Sequence, residues 1–301
     1  MVAATRGLDR GRVTQEAVDD AFGQNLADFV HIQQQAGLDF FSDGLLRWQD
    51  IFRPLVQASS ELKPGALTRW FDNNAFFRAP VVTSALSEIR APVAILPERL
   101  VPEPRVATLP SPYMFSRAAR GAAERNQLMM ELARYVLRPA AEAMVGAGCQ
   151  VVHLQEPWLA FFGIDRSDWG PLELALACIG ETVPAPLVLH VYFGDAGPFL
   201  ERLRRLPVDA LGVDLVETDT ASLGANWDIG LLAGCLDGRS SVVESLPGTL
   251  ELVHRLVQTV VPPRLYLSSN CDLEFLPRAV AEQKVLRLGE VRQQLQEPVP
   301  L

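Results

Sequence analysis

Apolar positions along this chain follow two periods, and from residue 150 onward the two alternate in a repeating unit. Short apolar runs at 150–155, 187–192, 210–216, 230–236 and 264–268 read as buried strands. Stretches with helical spacing at 171–183, 197–206, 248–260 and 277–296 fall between or after them. The first half is less regular. Residues 13–36 carry apolar positions at helical spacing, with Thr14 placed to cap the start and Gly37 to stop the end. Short strands are predicted at 38–42, 92–96 and 105–109, and a long helix over 116–147, divided or kinked at Pro139. The stretch 54–90 fits neither period. Its aromatics Trp70, Phe71, Phe76 and Phe77 read either as a satellite core or as an excursion over one end of the molecule. About eight strand–helix units predict one α/β domain over 1–301, a (βα)8 TIM barrel with an aromatic-rich excursion.

The residues at the ends of these strands are as informative as the strands themselves. The run Leu187-Val-Leu-His-Val-Tyr192 breaks into a Gly-Asp turn just after His190 and Tyr192. Other strands end in Gln155-Glu156-Pro157, Asp214, Asp237-Gly238-Arg239 and Asn270-Cys271. Polar residues gathered at the C-terminal ends of successive parallel strands are how an α/β barrel builds an active site. Taken alone, His190 reads as a satisfied core histidine; the repetition favours the site. His190, Cys271 and either Asp214 or Glu217 could together supply nitrogen, sulfur and oxygen to zinc, although their long-range spacing matches no local zinc motif. Cys271 lies in a polar loop, where an inert buried thiol is less expected. Asp43-Gly44 and the adjoining Leu45, Arg47, Trp48 and Asp50 form a further candidate loop, with Arg47 and Asp50 also readable as a surface pair. Glu156 reads equally as a substrate-facing carboxylate or as a salt-bridge partner at the rim. His153, in mid-strand, reads as structural.

Composition narrows the partners. With 301 residues, 49% of them hydrophobic, the chain can bury a full core without staples. A net charge of −9 and the lack of any basic run argue against nucleic acid and anionic membranes. Four cysteines, Cys149, Cys178, Cys235 and Cys271, without a CxxC pair, fit neither a disulfide scaffold nor a zinc finger. The first residues lack an apolar signal core, and no apolar run reaches membrane-spanning length, so the expected location is cytoplasmic.

Asp43-Gly44, Gln155-Glu156-Pro157, His190-Val-Tyr-Phe-Gly-Asp195, Cys235-Leu-Asp-Gly-Arg239 and Asn270-Cys-Asp-Leu-Glu-Phe-Leu-Pro-Arg278 occur in this order over nearly the whole chain. Together they resemble the C-terminal catalytic barrel of cobalamin-independent methionine synthase, in its short single-barrel form. The resemblance implies a (βα)8 barrel and methyl transfer to a thiol that zinc activates as thiolate. It implies zinc ligands at His190, Asp214 (Glu217 if the register slips) and Cys271, with Tyr192 standing where a further ligand cysteine belongs. It places Asp43, Leu45, Arg47, Gln155 and Tyr192 around the substrate, and Asp237, Arg239 and Glu156 in the chemistry. The family's acids for the homocysteine amine are replaced by Leu45 and Gln155, and its proton-donating histidine near Asp237 by Arg239. An altered thiol acceptor is therefore expected, beside a methyl donor and with room for a partner protein that delivers it. Two other readings stand beside this one: a metal-free lyase or decarboxylase using Arg239 with Asp214 or Glu156, and a non-catalytic metabolite-binding relative.

Overall fold

The computed structural model describes residues 10–89, 99–122 and 124–296. Its centre is a parallel sheet of six strands in sequence order: β3 (Arg105–Pro110), β4 (Cys149–Glu156), β5 (Leu187–Val191), β6 (Ala210–Asp214), β7 (Gly230–Leu236) and β8 (Leu265–Ser269). These strands are nearly continuous apolar runs because both faces are covered, and every residue of β5 and β6 is buried. A parallel bridge between Phe41 and Arg105 sets the segment after the first helix beside β3. Only that bridge forms where a strand over 38–42 is predicted, and the strand predicted at 92–96 lies outside the described residues. The sheet is strongly curled. Residues of β4 and β5 line the same cavity as residues of β8, although β5 and β8 are separated by two strands in the sheet. The result is an α/β fold of barrel type, with polar strand ends collected at one rim.

The first helix, Gln15–Ala36, begins and ends where its caps dictate. The Thr14 hydroxyl accepts from Ala17 N at 3.2 Å, and Gly37 adopts φ 65° to return its N–H to the last turn. Thr14→Ala is expected to lower stability by about 1 kcal/mol, read from the denaturation midpoint. Helix Arg278–Gln296 packs beside this one, linked to it by Arg278–Asp28 at 3.0 Å.

Two predicted elements are corrected. The long helix starts earlier, at Pro112 behind a Ser111 cap, and breaks after Ala118. It resumes as Arg125–Leu132, widens into a π-turn at Ala133–Leu137 and continues as Arg138–Gly146. Pro139 lacks the N–H that the preceding turn would use, and the wide turn lies immediately before it. The stretch 54–90 contains an antiparallel hairpin, β1 (Leu62–Thr68) with β2 (Phe77–Val82), behind a short helix Arg53–Ala58. Three of its aromatics join the main core, where Trp70, Phe71 and Phe77 pack with Phe52, and Phe71 reaches Phe193 just after β5, 5.3 Å between ring centroids; Phe76 stays exposed.

Candidate functional site

Alternation along β4 points His153 and Gln155 to the same face, where β5 contributes His190 and the adjoining Tyr192. Ser268 and Ser269 of β8, with Cys271 and Asp272 just beyond it, complete a cavity of about 40 Å³. Gly212 of β6 lies directly across the ladder from His190, and a side chain there would come within 2.7 Å of the imidazole. Gly238 makes similar room for Cys271, whose Sγ would lie 2.8 Å from an added Cβ. Gly212 within β6 and Gly238 just after β7 therefore leave room for the polar side chains beside them.

The two histidines form a pair. His153 Nε2 and His190 Nδ1 are 3.1 Å apart, and His190 is 2% exposed, with its Nε2 buried and unpartnered. Burial lowers His153 to about 4, and burial plus the charge of His153 holds His190 well below the ordinary imidazole range. Both rings are neutral at pH 7. From Tyr192 the polar chain runs across the cavity: its hydroxyl donates to Gln155 Oε1 at 3.2 Å, and Gln155 Nε2 donates to Asp272 Oδ1 at 2.8 Å. Burial raises the Tyr192 phenol well above its usual value, so it is a neutral donor here. Burial and the neighbouring Asp272 and Asp214 push the Cys271 thiol up as well, although Arg239 opposes them.

Asp214 does something other than face this cavity. Its Oδ1 accepts from Asn270 Nδ2 at 2.9 Å, Val216 N at 3.0 Å and Glu217 N at 3.2 Å, while Oδ2 accepts from Phe193 N at 3.2 Å. Asn270 Oδ1 in turn accepts from Gly238 N at 2.8 Å. One buried carboxylate thus ties together the loops after β5, β6, β7 and β8. The zinc set His190, Asp214 and Cys271 does not fit as expected: Asp214 is consumed by these donors, and Tyr192 supplies a neutral phenol in place of a thiolate. Glu217 is no substitute, since it pairs with Arg239. Among the described residues, no three His, Cys, Asp or Glu side chains are grouped to hold a metal ion.

Gln155 and Tyr192 line the cavity together with His190 and Cys271. The other expected site residues do not. Arg47 lies over the Phe22 ring and pairs with Asp19 at 3.5 Å, on the first helix. Asp43 accepts from Leu45 N at 2.9 Å within its own turn, and Leu45 adopts φ 51° there, against the core. Asp50 is not a surface partner of Arg47; it accepts from the Phe52, Arg53 and Arg78 N–H groups. Glu156 is fully buried and caps two helices, accepting from Met114 N, Leu159 N and the Ser111 hydroxyl. The carboxylate-clamp reading finds Arg239 held by Glu217, 5.7 Å above the Phe193 ring, with Asp237 accepting from Arg239 N. Four cavity residues escaped sequence reasoning: His153, read as structural, and Ser268, Ser269 and Asp272. For His153 the signal was available, because it shares its strand face with Gln155.

The chain matches, over residues 47–261, the family model described as cobalamin-independent synthase, N-terminal domain. It belongs to that family. The matched model is the N-terminal domain and stops before the loop 270–278, so the carry-over of ligands from the C-terminal barrel rests on the motifs alone. A methionine synthase from Sulfolobus acidocaldarius is 24% identical over 290 residues, covering 92% of this chain and 83% of the relative. A 5-methyltetrahydropteroyltriglutamate–homocysteine methyltransferase from Herpetosiphon aurantiacus is 29% identical over 237 residues, 73% of this chain. The match spans 30% of that longer relative. Among solved structures, a B12-independent methionine synthase from Shewanella sp. W3-18-1, in complex with selenomethionine, superposes with a TM-score of 0.77 at 18% identity. That superposition covers 94% of this chain and 91% of the other. A putative B12-independent methionine synthase from Listeria monocytogenes gives 0.74 at 15% identity, covering 98% and 93%. These likenesses establish the barrel fold for the whole described rim. Among the described residues, no helix is long and apolar enough to cross a membrane.

Proposed function

We propose that this chain is a methyltransferase of the methionine-synthase type, moving a methyl group from a methylated tetrahydropterin to the thiol of a homocysteine-like acceptor. Family membership supports the reaction class, and the free, buried Nε2 of His190 in the rim cavity carries the assignment of the site. In the tautomer that donates from His190 Nδ1 to His153 Nε2, His190 presents a lone pair to the cavity. It accepts the hydrogen bond of the acceptor's S–H and takes the proton as the S–CH3 bond forms. The donor's N–CH3 bond breaks with its electron pair on nitrogen. Net, the thiol's proton ends on that nitrogen. Zinc activation, which the resemblance implies, would serve the same end by lowering the thiol's pKa. It is no part of this reading, because Asp214 is already bound by four donors. The small cavity supports a small thiol as the acceptor, with His190 and Asp272 among the residues it would meet.

The test is methionine formation from homocysteine and 5-methyltetrahydropteroyltriglutamate. Wild type is expected to turn over, and His190→Ala to lose about a hundredfold in kcat. Zinc analysis of the same preparations discriminates the mechanisms. One zinc per chain that disappears in Cys271→Ala would overturn proton transfer through His190, and an inactive wild type would overturn the function.

A further inference from the structure

One wall of the cavity carries a carboxyl group with no cation beside it. Asp272 is open to solvent on one side and surrounded by protein on the others, a concave setting in which a carboxylate is poorly hydrated. Gln155 Nε2 is its hydrogen-bond donor, and among the described residues neither Asp272 nor Glu274 has an ion pair. Asp272, Glu274 and Asp50 lie close enough that the first and third oppose the charge of the second. Asp50 is occupied by three backbone N–H groups, and of the other two carboxyls Asp272 lines the cavity. Independently, His190 lines the same cavity with its Nε2 buried and unpartnered. Two unmet demands therefore meet in one space, one for a counter-charge and one for a hydrogen-bond partner at Nε2, a partner that is a donor in the tautomer proposed above.

The space also limits what can meet them. About 40 Å³ is room for roughly three water molecules, enough for the head of a small acceptor but not for a tetrahydropterin ring system. We propose that Asp272 is the specificity residue of this chain: it binds an ammonium group on the acceptor, supplying from the loop after β8 the negative charge that positions 45 and 155 lack. The acceptor is then a small aminothiol, its ammonium at Asp272 and its thiol at His190. Gln155 is the intermediary. Its amide, held by the Tyr192 hydroxyl, donates to Asp272 Oδ1 and leaves Oδ2 for the ligand.

This inference rests on the thiol-acceptor reading above, and calorimetry with a matched series separates the two. The probes are L-homocysteine, 4-mercaptobutanoate, which lacks the amino group, and L-norvaline, in which a methyl group replaces the thiol. Wild type is expected to bind homocysteine about ten- to a hundredfold more tightly than 4-mercaptobutanoate. Asp272→Asn, which still accepts from Gln155, is expected to erase that preference while binding 4-mercaptobutanoate as wild type does, which also verifies its fold. Equal binding of homocysteine and 4-mercaptobutanoate by wild type overturns the proposal without any variant. So does an unchanged preference in Asp272→Asn, or no binding of any of the three probes. Norvaline binding that Asp272→Asn abolishes, with no tighter binding of homocysteine, keeps the ammonium site and overturns the thiol reading instead.

Discussion

Asp214→Ala is expected to cost about 3–5 kcal/mol of folding stability, more than the loss of an ordinary surface carboxylate by a wide margin. The reason is the number of groups left behind. Removing the carboxylate strands the Phe193, Val216 and Glu217 N–H groups and the Asn270 amide around a side chain that is closed to solvent. Asn270 would then lose the orientation by which it accepts from Gly238 N, so the damage spreads to the loop after β7. Phe193 adds to the cost, because its φ of 66° is a left-handed conformation that a non-glycine residue holds only when its surroundings insist. Asp214→Asn keeps one acceptor oxygen and is expected to lose roughly half as much. Urea denaturation of both variants beside wild type gives the comparison. A loss below about 1 kcal/mol in Asp214→Ala, together with loss of a bound zinc, would restore Asp214 as a metal ligand and remove it as the anchor of the rim.

That anchor explains which parts of the molecule could be read in advance. Strands β4 to β8 were legible because a parallel strand covered on both faces is a short apolar run, and the turn residues that bound Leu187–Val191 and Ala210–Asp214 keep those runs too short for helices. The hairpin β1–β2 was not. Pro64, Gly65 and Pro80 interrupt its pattern, a bulge falls between Pro64 and Leu67, and Leu62 is the one fully buried residue of β1. The π-turn at Ala133–Leu137 was hidden for the opposite reason, since the apolar spacing runs through it unbroken. At the site, residue types at strand ends pointed to the right rim but not to which oxygen or nitrogen is free. Asp214 and His190 look equally suited to a ligand from sequence, yet one is saturated by backbone donors and the other has an idle Nε2. Asp272 belongs to a motif that assigns it no role, because only the curl of the sheet brings it against Gln155, 117 positions away.

Glu156 should make the protein less stable as pH rises between about 4.5 and 7, by roughly 3 kcal/mol across that window. Burial is the largest influence on this carboxyl and raises it to about 7, against hydrogen bonds from Ser111, Leu159, Met114 and Trp158 that pull it down. Proton counting gives the sign. Between the unfolded value near 4.5 and the folded value near 7, the folded state holds the proton more tightly than the unfolded chain, so raising the pH favours unfolding. Below the unfolded value both states are protonated and the contribution is fully present; above the folded value it is lost. Glu156→Gln cannot titrate, and the difference in unfolding free energy between it and wild type, followed from pH 4 to pH 8, isolates this group from every other carboxylate. The expected slope of that difference is up to about 1.4 kcal/mol per pH unit. A flat difference would mean that Glu156 is ionised throughout, held by the N–H groups of the two helices it caps. In either state Glu156 is sealed at 0% exposure and absent from the cavity lining, which makes it a support for β4 and its following helix rather than a group that meets substrate. The same experiment therefore bears on chemistry. A kcat for methyl transfer that follows pH alike in wild type and Glu156→Gln is expected, because proton movement at the rim belongs to His190.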